Sequence, residues 1–332
     1  MKKEMILLVL LAIGCSKDYI TSDETKDLVS TNLLVPTKPK EIKPGLLTDS
    51  AAFSARFYHT SVEFMGRLWV IGGSSSSGRK NDVWYSENGA QWINAITLDK
   101  RKFAPRQGHA SVVFQNKIWV IGGSTTSTER KNDVWYSSNG QNWSLATANA
   151  AFTPRYGHSV VVFDNKMWLL GGRDNQPKND VWYSNDGVTW NQATASAPFS
   201  VRISHRSIVF NNKLWVIGGL RGAYSFVNDV WSSTNGIDWI QETPSAAFSG
   251  RGKHTAVVYN DKMWVIGGDN HDLVRVNEIW YSSNGIDWTQ KTPPVGFDPR
   301  ASHTTTVFNN KLVVVAGIGN VERKNDVWAL ED

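Results

Sequence analysis

From about residue 46 onward, short apolar runs and polar turns alternate along the chain in a pattern that repeats. Each unit opens on Phe-x-x-Arg-x-x-His. The six copies are Phe53/Arg56/His59, Phe103/Arg106/His109, Phe152/Arg155/His158, Phe199/Arg202/His205, Phe248/Arg251/His254 and Phe297/Arg300/His303. The arginines are spaced 50, 49, 47, 49 and 49 residues apart. After each His comes a β-branched run such as Ser111-Val112-Val113-Phe114. A two-residue polar turn such as Asn211-Asn212 follows, and then a second run that ends in two glycines, as in Leu214 to Gly219. Two strand-length runs joined by Asn, Asp or Gly predict a hairpin. A variable loop leads to Asn-Asp-Val-Trp, a third strand. An Asn-Gly or Asp-Gly turn such as Asn139-Gly140 then introduces a final Trp that opens a fourth.

Each unit is therefore a four-stranded antiparallel meander, which cannot bury both faces alone. Six arranged radially can. The Arg-x-x-His opening, the di-glycine and the closing Trp resemble the kelch repeat. That resemblance spans residues 46–332 and implies an all-β fold, a six-bladed kelch-type β-propeller. The sixth unit stops after Trp328 without a fourth strand. Leu46 to Phe53 aligns without gaps on Leu145 to Phe152, which follows the fourth-strand Trp of the second unit. The N-terminal segment is thus expected to supply the missing strand and to close two open sheet edges. Val313 and Ala316 replace the usual Trp and Gly of the last unit, so looser packing is expected there.

The chain has 332 residues, 16 of them Trp, and the repeat accounts for every one. Five precede the di-glycine, six follow Asn-Asp or Asn-Glu, and five follow the turn. A buried indole removes roughly 200 Å² from water, about 5 kcal/mol as an upper bound. The indoles are therefore expected to pack blade against blade.

Ahead of the repeat, Lys2 and Lys3 precede an apolar run from Met5 to Ile13 that is too short to cross a bilayer. It ends at Ala12-Ile13-Gly14-Cys15, which resembles a bacterial lipobox. Cys15 is the sole Cys of the chain, which excludes a disulfide framework. The resemblance implies a lipoprotein signal peptide over 1–14 and lipidation of Cys15. It also implies display at the cell envelope, on either face of the outer membrane. Residues 15–45 are polar, carry Pro36, Pro39 and Pro44, and form a linker.

The net charge of +5 is too slight to indicate nucleic acid. By resemblance to kelch adaptor domains, Arg56, Arg106, Arg155, Arg202, Arg251 and Arg300 form a ring at one mouth of the channel suited to carboxylates. The alternative is that each pairs with the acid after its unit's Asn: Asp82, Asp133, Asp180, Asp229, Glu278 or Asp326. The loops between di-glycine and Asn-Asp hold ten basic and five acidic residues, which favours an anionic protein or acidic glycan partner. The repeat His are expected to hydrogen-bond within their blades, and His271 to sit in a solvated loop. No metal and no cofactor is called for. The copper oxidases of this architecture need a Tyr–Cys cross-link, and Cys15 cannot supply it. The expected role is a non-catalytic binding or scaffolding propeller, monomeric and anchored to a membrane by lipid. The alternative is a sugar-acid mutarotase or epimerase of the sialic-acid type, although no residue stands apart from the repeat as a catalytic singleton.

Overall fold

The computed structural model describes residues 43–95, 102–222 and 224–331, and within them every regular element is a β-strand. The signal peptide, Cys15 and nearly all of the linker lie outside the described residues. Blade 2 shows the plan: Ala110–Phe114, Lys117–Ser124, Arg130–Ser137 and Ser144–Thr147 pair antiparallel in chain order. Its first turn, Gln115-Asn116, has φ of 49° and 55°, the mirror-image geometry that a right-twisted two-residue hairpin requires.

The first strands form the inner wall. Thr60–Phe64, Ala110–Phe114, Ser159–Phe163, Arg206–Phe210, Thr255–Tyr259 and Thr304–Phe308 each contact the next, and the last meets the first. Six blades therefore close one ring, a six-bladed β-propeller. In blade 6, Leu46–Thr48 supplies the outermost strand, with Leu46 opposite Trp328 and Thr48 opposite Val327. The alignment with blade 2 extends to single hydrogen bonds. Asn325 Nδ2 donates to the carbonyls of Ala51 and Phe53, as Asn132 Nδ2 donates to those of Ala150 and Phe152.

Six apolar clusters fill the six seams between blades. The indoles do three jobs rather than one. Trp69, Trp119, Trp168 and Trp215 lie on the turn glycines of the next blade. A Cβ on Gly140 would stand 2.3 Å from Trp69, and one on Gly187 would stand 2.1 Å from Trp119. Trp92, Trp143, Trp190, Trp239 and Trp288 meet the motif Phe edge to face, with centroids 5.0 to 5.2 Å apart. The third-strand indoles, half-buried except for Trp328, donate Nε1 to the repeat acid of their own blade at 2.8 to 2.9 Å. The last blade is not loose. Val313 and Ala316 are buried, and Leu47 of the closing strand covers Gly89 where a Trp would otherwise lie.

Candidate functional site

The opening motif reads as one connected device. The guanidinium stands over the motif Phe, with centroid distances of 4.6 to 5.8 Å across the blades. In blade 3, Arg155 Nε donates to the Thr153 carbonyl and Nη1 to the Gly171 carbonyl. Nη1 and Nη2 grip Asp180 at 2.6 and 2.8 Å. Arg56, Arg106, Arg202 and Arg300 hold Asp82, Asp133, Asp229 and Asp326 by the same fork. Arg251 grips Glu278 through one oxygen, Oε2, at 2.5 Å. All six arginines are 0% exposed. The structure therefore sets them in the ion-pair role, inside the blades, with no guanidinium surface at a channel mouth. Burial would raise the Asp82 and Glu278 carboxyls, but the hydrogen bonds from Arg56 and Arg251 outweigh it and hold both below their usual values.

The di-glycine carries this device to the next blade. The Gly73 amide donates to the Arg106 carbonyl, and a Cβ on Gly72 would meet His109 Cε1 and the Arg106 carbonyl oxygen at 3.0 to 3.2 Å. The repeat His are therefore shared between blades. His109 Nε2 lies 3.0 Å from the Thr60 hydroxyl, and His303 and His59 lie 3.2 Å from those of Thr255 and Thr304. Burial, reinforced by Arg56 and Arg155, pushes His59 and His158 down to about 3. His109, His205, His254 and His303 are also held well below the usual range, by burial first and by nearby charge second. All six are neutral imidazoles. Among the described residues no group of three or more His, Cys, Asp or Glu is placed to hold a metal ion, and His271 lies exposed in its loop beside Asp272.

At the axis, the residue before each His takes a left-handed backbone: Tyr58, Gly108, Gly157, Ser204, Lys253 and Ser302 have φ between 54° and 65°. Each amide donates to the carbonyl of its neighbour in the preceding blade at 2.8 to 3.0 Å, and the Tyr58 amide donates to Ser302 to finish the circle. This ring frames a cavity of about 200 Å³ lined by the inner strands. Tyr58 and Lys253 stand at its edge, with Lys253 Nζ on Asp269 at 2.5 Å.

The inner wall contains one residue that sequence reasoning missed. The position after the repeat His reads Thr60, Ala110, Ser159, Arg206, Thr255 and Thr304. Arg206 breaks a column of small residues and lines the cavity. The signal in the sequence is the column itself, five small residues and one arginine.

Outside this ring stand the variable loops. Arg130 lies over the Tyr156 ring at 5.5 Å, and Arg323 over Phe57 at 5.3 Å. Arg173 pairs with Tyr156 through the backbone, and Ser74, the strand partner of Arg79, pairs with Phe57. Phe57 and Tyr156 adjoin the mouth residues Tyr58 and Gly157, so these arginines border one face of the ring. Among the described residues Arg79, Arg130, Arg173 and Arg323 form no ion pair. The groups that a mutarotase reading relies on are not presented at a mouth: the repeat His are buried, and the repeat arginines are paired with the repeat acids inside the blades. A family model described as KLHDC2/KLHL20/DRC7 Kelch-repeats domain matches residues 108–283, just over half of the chain. No curated protein matches it.

Proposed function

The chain belongs to the kelch-repeat family, whose propellers serve protein binding and scaffolding, and on that footing we propose that this one is a non-catalytic binding module for an anionic partner. The partner is an acidic protein segment or an acidic glycan. One observation carries the reading: Arg79, Arg130, Arg173 and Arg323 border a single face and lack carboxylate partners among the described residues, while the six repeat arginines spend their charge inside the blades. Cations left unpaired on loops of a rigid scaffold favour carboxylates through forked hydrogen bonds.

The apolar run ending at Cys15 supports the further reading that the propeller is displayed on a bacterial envelope by a lipid anchor. Replacing Cys15 with Ala is expected to move the protein from the membrane fraction to the soluble one. Unchanged partitioning defeats the anchor.

The binding reading is tested with polyglutamate and an acidic polysaccharide as probes, comparing the protein with its Arg79→Glu/Arg130→Glu/Arg173→Glu variant. Binding is expected to weaken between low salt and about 0.15 M, and to vanish in the variant. Indifference to salt, or an unaffected variant, rules out this face.

A further inference from the structure

We propose that the axial cavity is a second, independent ligand site, one that takes a small monocarboxylate on Arg206. The first observation is an asymmetry in the inner wall. On one side most hydroxyls satisfy one another, Ser302 Oγ being the exception. The hydroxyls of Thr60 and Ser111 lie 2.7 Å apart, those of Ser61 and Thr306 2.6 Å, and those of Thr255 and Thr305 2.7 Å. Each of His59, His109 and His303 has a threonine hydroxyl on Nε2.

Around blades 3 to 5 that satisfaction stops. Ala110, which has no hydroxyl, stands at the column position where His158 would find one. The Ser159 hydroxyl accepts the Ser207 amide instead of serving His205. Arg206 fills the same position ahead of His254. Nδ1 of all six repeat His is open around the whole ring, and to these, blades 3 to 5 add Nε2 of His158, His205 and His254 and Oγ of Ser207. Ser207 is 7% exposed and His158 3%, and both line the cavity. Buried polar groups are nearly always paired, so a cluster of open ones beside a cavity is the signature of a missing partner.

The second observation is charge. Arg206 forms no ion pair among the described residues, and its one hydrogen bond goes to the His205 carbonyl at 3.3 Å. Burial holds its guanidinium down to about 10, opposed only by Tyr58. No Asp or Glu lines the cavity. Arg206 is half-buried, so its guanidinium reaches the cavity with no counter-charge on the lining.

The chemistry of the wall selects among anions. Lys253 at the rim pairs with Asp269, which Arg275 also approaches at 3.7 Å, so Arg206 is the cation of the lining that has no carboxylate at all. A monocarboxylate matches that single guanidinium. The guanidinium fork matches the two oxygens of a carboxylate. The Ser207 hydroxyl supplies a further donor. This site uses none of the outer arginines and stands apart from the reading of the loop face.

The test is the unfolding midpoint and calorimetric binding of the full protein with acetate, its neutral isostere acetamide, and inorganic phosphate. The comparison variants are Arg206→Thr, which restores the residue of three other blades, and Arg206→Lys. Acetate is expected to raise the wild-type midpoint by about 2 °C or more, with acetamide silent. Arg206→Thr should lose at least roughly tenfold in acetate affinity and melt higher than wild type without ligand. Arg206→Lys should bind weakly, having the charge without the fork. The outer triple variant should keep the acetate response even if it loses polyglutamate. An equal response to acetamide, or an Arg206→Thr variant that still responds to acetate, overturns the site. Protection by phosphate alone overturns its assignment to carboxylates.

Discussion

Leu47 stands against Gly89 in the place that an indole takes at Gly140, Gly187, Gly236 and Gly285; a Cβ on Gly89 would lie 2.6 Å from the Leu47 side chain. The contact joins the closing strand of blade 6 to the second hairpin turn of blade 1, so the seam is sealed by a residue outside the repeat proper. Leu47→Ala is expected to cost about 2 kcal/mol in urea unfolding. Deleting 46–52 should lower the thermal midpoint far more than deleting 20–40. Equal midpoints for the two deletions would refute the closure.

Arg155 and Asp180 are both buried. Removing one partner leaves a charge enclosed and alone. Arg155→Met is expected to lose about 3–5 kcal/mol, and the double variant with Asp180→Leu to recover a large part of it. A double-mutant cycle with no coupling would show that the pair is incidental.

Blade 5 offers the converse. Glu278 presents one oxygen, which accepts from both Arg251 and Trp280, where the Asp of other blades presents two. Glu278→Asp should restore the fork and raise stability by about 0.5–1.5 kcal/mol. A neutral or lower urea midpoint would mean that the backbone there cannot bring the shorter side chain close enough.

Gly140 has φ of 73° and lies under the Trp69 indole. Gly140→Ala adds a left-handed penalty of about 1–2 kcal/mol to a clash that the seam must open to relieve. A total loss of about 3 kcal/mol is expected. Gly66, with φ of 70° and nothing within 4 Å of its added Cβ, is the control: Gly66→Ala should show the backbone cost alone.

Acid should unfold this protein through its imidazoles. The folded values of His59 and His158 are depressed from 6.5 to about 3, so below pH 6.5 the unfolded chain binds protons that the folded one refuses. Their contribution is complete above about pH 6.5 and is lost as pH falls toward 3. At pH 5 the loss is on the order of 2 kcal/mol per imidazole. Urea midpoints measured from pH 7.5 to 5 should fall steeply, and a flat profile would contradict the burial of these rings.

The sequence carried the architecture because repetition makes every propeller signal redundant: six copies of Phe-x-x-Arg-x-x-His, and a Leu46 to Phe53 segment matching Leu145 to Phe152. Residues that act only through their neighbours were less legible. Trp84 and Trp69 look alike in sequence, but one serves its own blade's carboxylate and the other the next blade's turn. Leu47 in place of an indole depends on a contact across the seam, which no local pattern encodes. Arg206 at the start of a strand reads as a surface cation, and only the closed ring turns that position inward.

The backbone circle from Tyr58 to Ser302 has a further consequence. Its six peptide units point head to tail around the axis, so their dipoles largely cancel, whereas those of a helix sum along it. Their amides and carbonyls are consumed by one another, and none is left to draw an ion inward. Whatever selectivity the shaft exerts by charge must come from side chains, and a single substitution at Arg206 can rewrite it without disturbing the hoop that holds it open.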